Sequence, residues 1–111
     1  MISRSKKLFR RCNEIDGIDL ESKSRKREYM AQRKAFMVLC FREFNQTDTL
    51  QHIGSLVGVD HSTVHHHNKT DHWLGSRGYD LENYYYSMFR KMINVESPSE
   101  QIRAKMLLGF L

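Results

Sequence analysis

The chain of 111 residues is 40% hydrophobic and carries a formal net charge of +5. That length accommodates one compact domain with a short appendage, and it excludes two full hydrophobic cores. The single proline and the rarity of alternating Val/Ile/Thr runs argue against a β-sandwich or barrel, and no apolar run approaches the roughly 20 residues of a membrane span.

The N-terminal third is strongly basic. Residues 1–34 carry 11 Lys/Arg against 5 Asp/Glu, whereas residues 35–111 carry 7 against 8. The pattern predicts an amphipathic helix from Ser3 to about Ile15 within an N-terminal basic segment, residues 1–17, that is broken at Gly17. No apolar stretch follows the first basic residues, so we expect no secretory signal.

A second segment, residues 18–94, contains the longest predicted helix, from about Arg25 to Phe44. This stretch lacks Gly and Pro, and its apolar residues keep helical spacing, so we expect it to be the most buried helix. Ile18 and Leu20, just before it, are candidate core anchors.

A dense basic block precedes and enters this long helix. It consists of Lys23, Arg25, Lys26, Arg27, Arg33 and Lys34. Such a block is typical either of a solvated helix face or of a surface that contacts phosphates. The helix pair that follows favours DNA, whereas no amphipathic stretch with bulky apolar residues supports a membrane surface.

Residues 49–74 form two predicted helices joined by a glycine turn. Thr49 is a candidate N-cap, and the next apolar residues share one helical face: Leu50, Ile53, Leu56 and Val57. Gly58 can take a positive φ at the turn, and Asp60 or Ser62 can cap the second helix. This arrangement is typical of a helix-turn-helix, whose second helix offers its N-terminal residues to base edges in the major groove.

Four short or rigid polar residues open that second helix, and we predict that they read bases. They are Asp60, His61, Ser62 and Thr63. Asp60 can accept from cytosine N4, the hydroxyls of Ser62 and Thr63 can bond to either base edge, and His61 or the Thr63 methyl group can lie against a thymine methyl group. The free N–H groups of the helix start also suit a nearby phosphate.

After a turn at Gly75 to Gly78, Asp80 is predicted to cap a helix that runs to about Asn94. Its run Tyr84-Tyr85-Tyr86 suits a stacking platform for single strands, but its spacing with the apolar residues that follow favours the core and its edge.

A C-terminal helical tail, residues 95–111, is predicted from the capping box Ser97-Pro98-Ser99-Glu100. We expect this tail to dock on the domain, or to mediate self-association or contact with a protein partner.

Six histidines raise the alternative of a metal site. No carboxylate or cysteine ligands stand at suitable spacing and HExxH is absent, so we favour histidines on a DNA-facing helix and expect no metal and no cofactor. His65, His66 and Lys69 are the candidates for phosphate contacts from this helix. The widely separated Cys12 and Cys40 predict reduced thiols.

Three features resemble the DNA-binding domain of the bacterial replication initiator DnaA, whose signature runs IG-x-x-FGGRDHTTV-x-HA. They are Ile53-Gly54, Gly58 and the run DHSTVHH at residues 60–66. Upstream, residues 24–27 and 31–39 resemble the family's basic loop and long helix, and Arg42-Glu43 its basic-acidic pair. The resemblance covers roughly residues 18 to 74.

This resemblance implies an all-α domain of the Trp-repressor-like type that reads a short duplex through the major groove, with a basic minor-groove contact. Residues 60–63 match the base-reading positions. Arg25, Lys26 or Arg27 matches the minor-groove arginine, and Arg33 or Lys34 a backbone contact. The turn is one residue shorter than the family's and lacks the arginine before Asp60, and Ser62 replaces a threonine, so the base sequence that is read stays open.

No G-x-x-x-x-G-K-[ST] loop and no nucleophilic constellation is present. The sequence therefore predicts a non-enzymatic double-stranded DNA binder: a small regulator of replication or transcription, of phage or mobile-element origin, in the cytoplasm and associated with the nucleoid of a bacterial host. The alternative is a protein-interaction or virion-associated helical module that uses the fold as a scaffold, with apolar residues of the tail and the tyrosine run as its contact surface.

Overall fold

A computed structural model describes residues 2–69 and 73–93, with only the backbone described for Asn68 and Lys69. These residues form five α-helices and no strand: α1 (Arg4–Asn13), α2 (Arg27–Phe44), α3 (Leu50–Leu56), α4 (His61–Lys69) and α5 (Asp80–Lys91). The predicted all-α class is confirmed. The predicted capping box and the tail, residues 95–111, lie outside the described residues.

The helix boundaries follow local capping chemistry. The side chain of Ser3 accepts from the Lys6 N–H at the start of α1, and that of Thr49 accepts from the His52 N–H at the start of α3. At α5 the prediction was wrong by one residue: Tyr79 is the N-cap, without a side-chain bond, and Asp80 is the first helical residue. In the first turn, the Asp80 carboxylate interacts favourably with the helix dipole instead of capping.

Helix α2 is the centre of the domain and packs against the other four helices. Buried side chains cover most of its circumference, including Phe36, Val38 and Leu39, which are fully inaccessible. A stretch of helix that is buried on all sides must be enclosed by its neighbours, and residues 35–40 of α2 form such a stretch. Ile18 and Leu20 are buried beside it, as predicted.

Helix α1 is fixed to the domain by polar contacts as well as by its apolar face. The buried Asp48 carboxylate accepts from both the backbone N–H and the hydroxyl of Ser5. Arg11 donates to the Ile93 carbonyl oxygen at 2.9 Å, just beyond the end of α5. Because a buried carboxylate is costly without such partners, the Ser5–Asp48 pair specifies where α1 sits.

The three consecutive tyrosines of α5 lie in three environments. Tyr85 is buried and stacks on Phe89, Tyr86 is half-buried with its ring edge-on to Trp73, and Tyr84 is 59% exposed. Two of the three therefore belong to the core and its edge.

Both cysteines are buried and free. Burial raises the pKa of the Cys12 and Cys40 thiols, so both stay protonated and unreactive at neutral pH. No helix among the described residues combines the length and the apolarity needed to cross a bilayer.

Candidate nucleic-acid interface

The turn between α3 and α4 folds tightly back onto α3. The Val59 N–H donates to the Gly54 carbonyl oxygen at 2.9 Å, and Gly58 takes a φ of +77° between them. Ile53 of α3 and Val64 of α4 are both fully buried beside this turn. These contacts bury one face of α4 and leave the opposite face in solvent.

The N-terminus of α4 is capped by Asp60. Its Oδ1 accepts from the Thr63 N–H at 2.9 Å and from the Thr63 hydroxyl at 3.1 Å. These hydrogen bonds lower the pKa of the exposed Asp60 carboxyl, so it is ionised at neutral pH. Of the two cap candidates from the sequence, Asp60 fills the position, and Ser62 lies in the first helical turn.

Three of the four predicted base-reading side chains are solvent-exposed at the N-terminus of α4: Asp60, His61 and Ser62. The fourth, Thr63, is half-buried. His65 and His66 are exposed one turn further along the helix, and the Lys69 side chain lies outside the described residues. Three members of this tetrad, residues 60–63, therefore face solvent, as contact with an external partner requires.

The basic block lies next to α4 in space. Lys23, Arg25 and Lys26 are exposed in the loop between α1 and α2, residues 14–26, which we call the basic loop. The Lys23 Cε lies 3.8 Å from the position that a Cβ on Gly58 would take, so this loop touches the helix-turn-helix turn.

A cleft of about 410 Å³ separates the basic block from α4. It is bordered by Arg25, Arg27, Arg33 and Lys34 on one side and by Thr63 and His67 of α4 on the other. The fold thus brings the basic block and the recognition-helix candidate, far apart in sequence, to the two sides of one cleft.

The three residues of the basic block that lie within α2 have internal partners. Arg27 is 3.5 Å from the Glu82 carboxylate, although its side chain is 68% exposed. The Lys34 ammonium lies 5.8 Å from the centre of the Trp73 ring and 5.9 Å from that of Tyr79. Arg33 donates to the carbonyl oxygens of Ser22 and Ser24 in the basic loop.

His67 belongs to this site but was not among the residues predicted for it. It lines the cleft one turn after Thr63, on the side of α4 that faces α2, and its Nδ1 is buried without a hydrogen-bond partner. Burial, and then the charges of Lys34 and His66, lower its pKa. The signal was the four-residue spacing from Thr63, which places both on one helical face.

The histidines do not gather into a metal site in the described part of the chain, where no group of three His, Cys, Asp or Glu side chains is placed to hold an ion. His52 of α3 instead lies 2.6 Å from the Ser3 hydroxyl at the start of α1.

A tight two-helix corner with a polar, solvent-facing second helix and a basic loop beside it defines the class of helix-turn-helix DNA-binding proteins. Within that class, the family model described as the bacterial dnaA protein helix-turn-helix matches residues 11–70, just over half of the chain, and the chain belongs to this family. The match starts further upstream than the resemblance noted in the sequence, inside α1. No curated protein and no solved structure matches the chain.

Proposed function

We propose that the protein binds a specific short site in double-stranded DNA, with the start of α4 in the major groove and the basic loop against the adjacent minor groove and backbone. The observation that carries this proposal is that Thr63, near the start of α4, borders the same cleft as a cluster of cations, while Asp60, His61 and Ser62 are exposed just before it in the chain. Base edges supply specificity and phosphates supply affinity, and the polar helix start and the neighbouring cations offer both kinds of contact.

In this proposal Asp60, His61, Ser62 and Thr63 contact bases. An ionised Asp60 accepts only, which matches the cytosine N4 amino group. Thr63 presents its methyl group more readily than its hydroxyl, because the hydroxyl already donates to Asp60.

The phosphate and minor-groove contacts are assigned to cations on both sides of the tetrad. Lys23, Arg25 and Lys26 are the most accessible of them, and arginine favours the negative potential of a narrow minor groove. Arg27 and Lys34 border the cleft, and His65, His66 and Lys69 of α4 are the further residues that we propose contact phosphates.

The proposed role is a binding one without catalysis: occupation of sites as a regulator of replication or transcription, in the cytoplasm at the bacterial nucleoid. Phage or mobile-element origin belongs to the same proposal and rests on fold-level analogy. The alternative role as a protein-interaction module depends on the C-terminal tail, which lies outside the described residues.

The decisive experiment is selection of bound duplexes from a random pool, followed by titration of the selected site and a scrambled duplex over a salt series. We expect one enriched site, tighter binding to it than to the scrambled duplex, and affinity that falls steeply with salt. Thr63→Ala should relax preference at one base pair by about 1–3 kcal/mol and spare binding to the scrambled duplex. Enrichment of no sequence would refute specific recognition.

A further inference from the structure

The basic loop is held by two adjacent side chains of α2. Gln32 is fully buried; its Oε1 accepts from the Asp19 N–H at 2.9 Å, and its Nε2 donates to the Gly17 carbonyl oxygen at 3.0 Å. Arg33 holds the next part of the loop, where its two terminal guanidinium nitrogens donate to the Ser22 and Ser24 carbonyl oxygens, the latter at 2.8 Å. The chain that leads to the exposed cations is therefore fixed at successive points.

The loop also carries its own short-range hydrogen bonds. The Ser24 N–H donates to the Ser22 hydroxyl at 3.1 Å, and the Lys26 N–H donates to the Ser24 hydroxyl at 3.2 Å. Bonds over two residues fix local turns only. The two Arg33 bonds tie these turns to the central helix, so they decide where the turns sit relative to α4.

Only arginine suits this position. A planar guanidinium presents several N–H donors in a fixed fork and can serve two carbonyl oxygens at once, whereas a lysine ammonium is a compact point charge on a flexible stem. The Arg33 side chain is half-buried and its fork points at loop carbonyls. This geometry differs from the backbone contact that the family resemblance implies for Arg33 or Lys34.

We infer that Arg33 is a positioning residue, which holds the basic loop in its DNA-contacting conformation before DNA arrives, and that it is not itself a phosphate contact. The expected effect of Arg33 on DNA affinity rests on the proposed function, whereas its role in holding the loop does not. A loop that is already ordered loses less conformational entropy when it binds. Release of the loop should therefore weaken binding even though the exposed cations remain.

The first arm of the test needs no DNA. The loop and the first residue of α2 provide four trypsin sites, at Lys23, Arg25, Lys26 and Arg27, and cleavage there requires a mobile backbone. Arg33→Lys and Arg33→Gln should both accelerate cleavage in the loop by about tenfold at a temperature well below the unfolding midpoint. Lys34→Gln, next along α2, is the control and should leave that cleavage rate unchanged. Wild-type cleavage rates in Arg33→Lys would overturn the inference.

The second arm measures affinity for the selected duplex. If Arg33 positions the loop, Arg33→Lys and Arg33→Gln weaken binding alike, by about tenfold. Replacement of Arg25 and Lys26 together by alanine should then cost less affinity in the Arg33→Lys background than in the wild type. A phosphate contact predicts otherwise: near-wild-type affinity for Arg33→Lys, and a salt slope shallower by about 0.9 for Arg33→Gln only. That second pattern would overturn the inference.

The two arms separate the two ideas. If the wild type binds no duplex, the proposed function fails, while the cleavage rates alone still decide whether Arg33 holds the loop. If DNA binds and the loop is cleaved equally in all variants, the proposed function stands and the positioning role falls.

Discussion

The carbonyl oxygen of Val59 lies 2.5 Å from the position that a Cβ atom on Gly54 would occupy. The Asp60 carbonyl oxygen and the Val64 Cγ2 lie 3.1 and 3.2 Å from the same point. The turn and the start of α4 can approach α3 this closely only because residue 54 has no side chain. The orientation of α4 depends on this glycine, and so does the direction in which the polar residues at its N-terminus face.

Gly54→Ala should therefore destabilise the fold by about 1–3 kcal/mol through overpacking, although alanine is favoured over glycine inside a helix by about 0.5–1 kcal/mol. Denaturant unfolding measures the change. Gln51→Ala, an exposed substitution on the same helix, is the control and should be neutral or slightly stabilising. If Gly54→Ala is as stable as the wild type, the turn between α3 and α4 can accommodate a Cβ atom at residue 54.

Asp60 has two roles to separate, because it caps α4 and is proposed to read a base. Asn also caps helices well, whereas Ala does not, so Asp60→Asn should keep the thermal midpoint and Asp60→Ala should lower it by several degrees. Asn donates as well as accepts and prefers adenine. Asp60→Asn should thus change the preferred base at one position by roughly tenfold. An unchanged selected site in this variant would remove Asp60 from the base-reading set.

Salt dependence tests the basic loop. Replacement of Arg25, Lys26 and Arg27 together by alanine should make the slope of log affinity against log salt shallower by about two to three. Lys6, Lys7 and Arg10, exposed on α1, give a control variant with the same loss of charge. Equal losses in the two variants would mean that total charge, and not the position of the loop, governs binding.

His67 should make stability sensitive to acid. Its folded-state pKa is lowered from 6.5, chiefly by burial, so the unfolded chain takes up a proton at a higher pH than the folded protein does. The free energy of unfolding is therefore fully retained above the unfolded-state pKa of about 6.5, and it falls as the pH drops below that pKa. Unfolding by denaturant at about pH 7.5 and about pH 5.5 should show this fall.

His67→Leu should reduce that fall, because it removes the titrating group together with an Nδ1 that has no hydrogen-bond partner. His65→Gln, at an exposed position of the same helix, should leave the pH dependence as it is in the wild type. An undiminished acid effect in His67→Leu would assign the effect to another group.

Much of the helical organisation was predictable from the sequence because caps, glycines and apolar spacing act over a few residues. Thr49 and Gly58 have the predicted roles. Asp80 shows where such local rules stop being sufficient. An acidic residue is favourable both at the N-cap and in the first turn of a helix, so the local sequence pattern does not distinguish the two positions.

The partners of long side chains were not predictable in this way. Arg33 and Lys34 are adjacent in a basic block, yet one fixes a loop and the other lies near two aromatic rings. Their directions depend on which elements surround α2. His67 was missed for the same reason, because the burial of one histidine in a row of three is set by the neighbouring helix.

The sequence by itself determined an all-α chain with a polar helix start at residues 60–63 and a cluster of cations upstream, because helix periodicity, capping and charge are properties of neighbouring residues. Only the tertiary structure decided that these two segments border one cleft, and which cations are turned toward the protein. That outcome depends on packing around α2 and on the close approach at Gly54, which join residues that are distant along the chain.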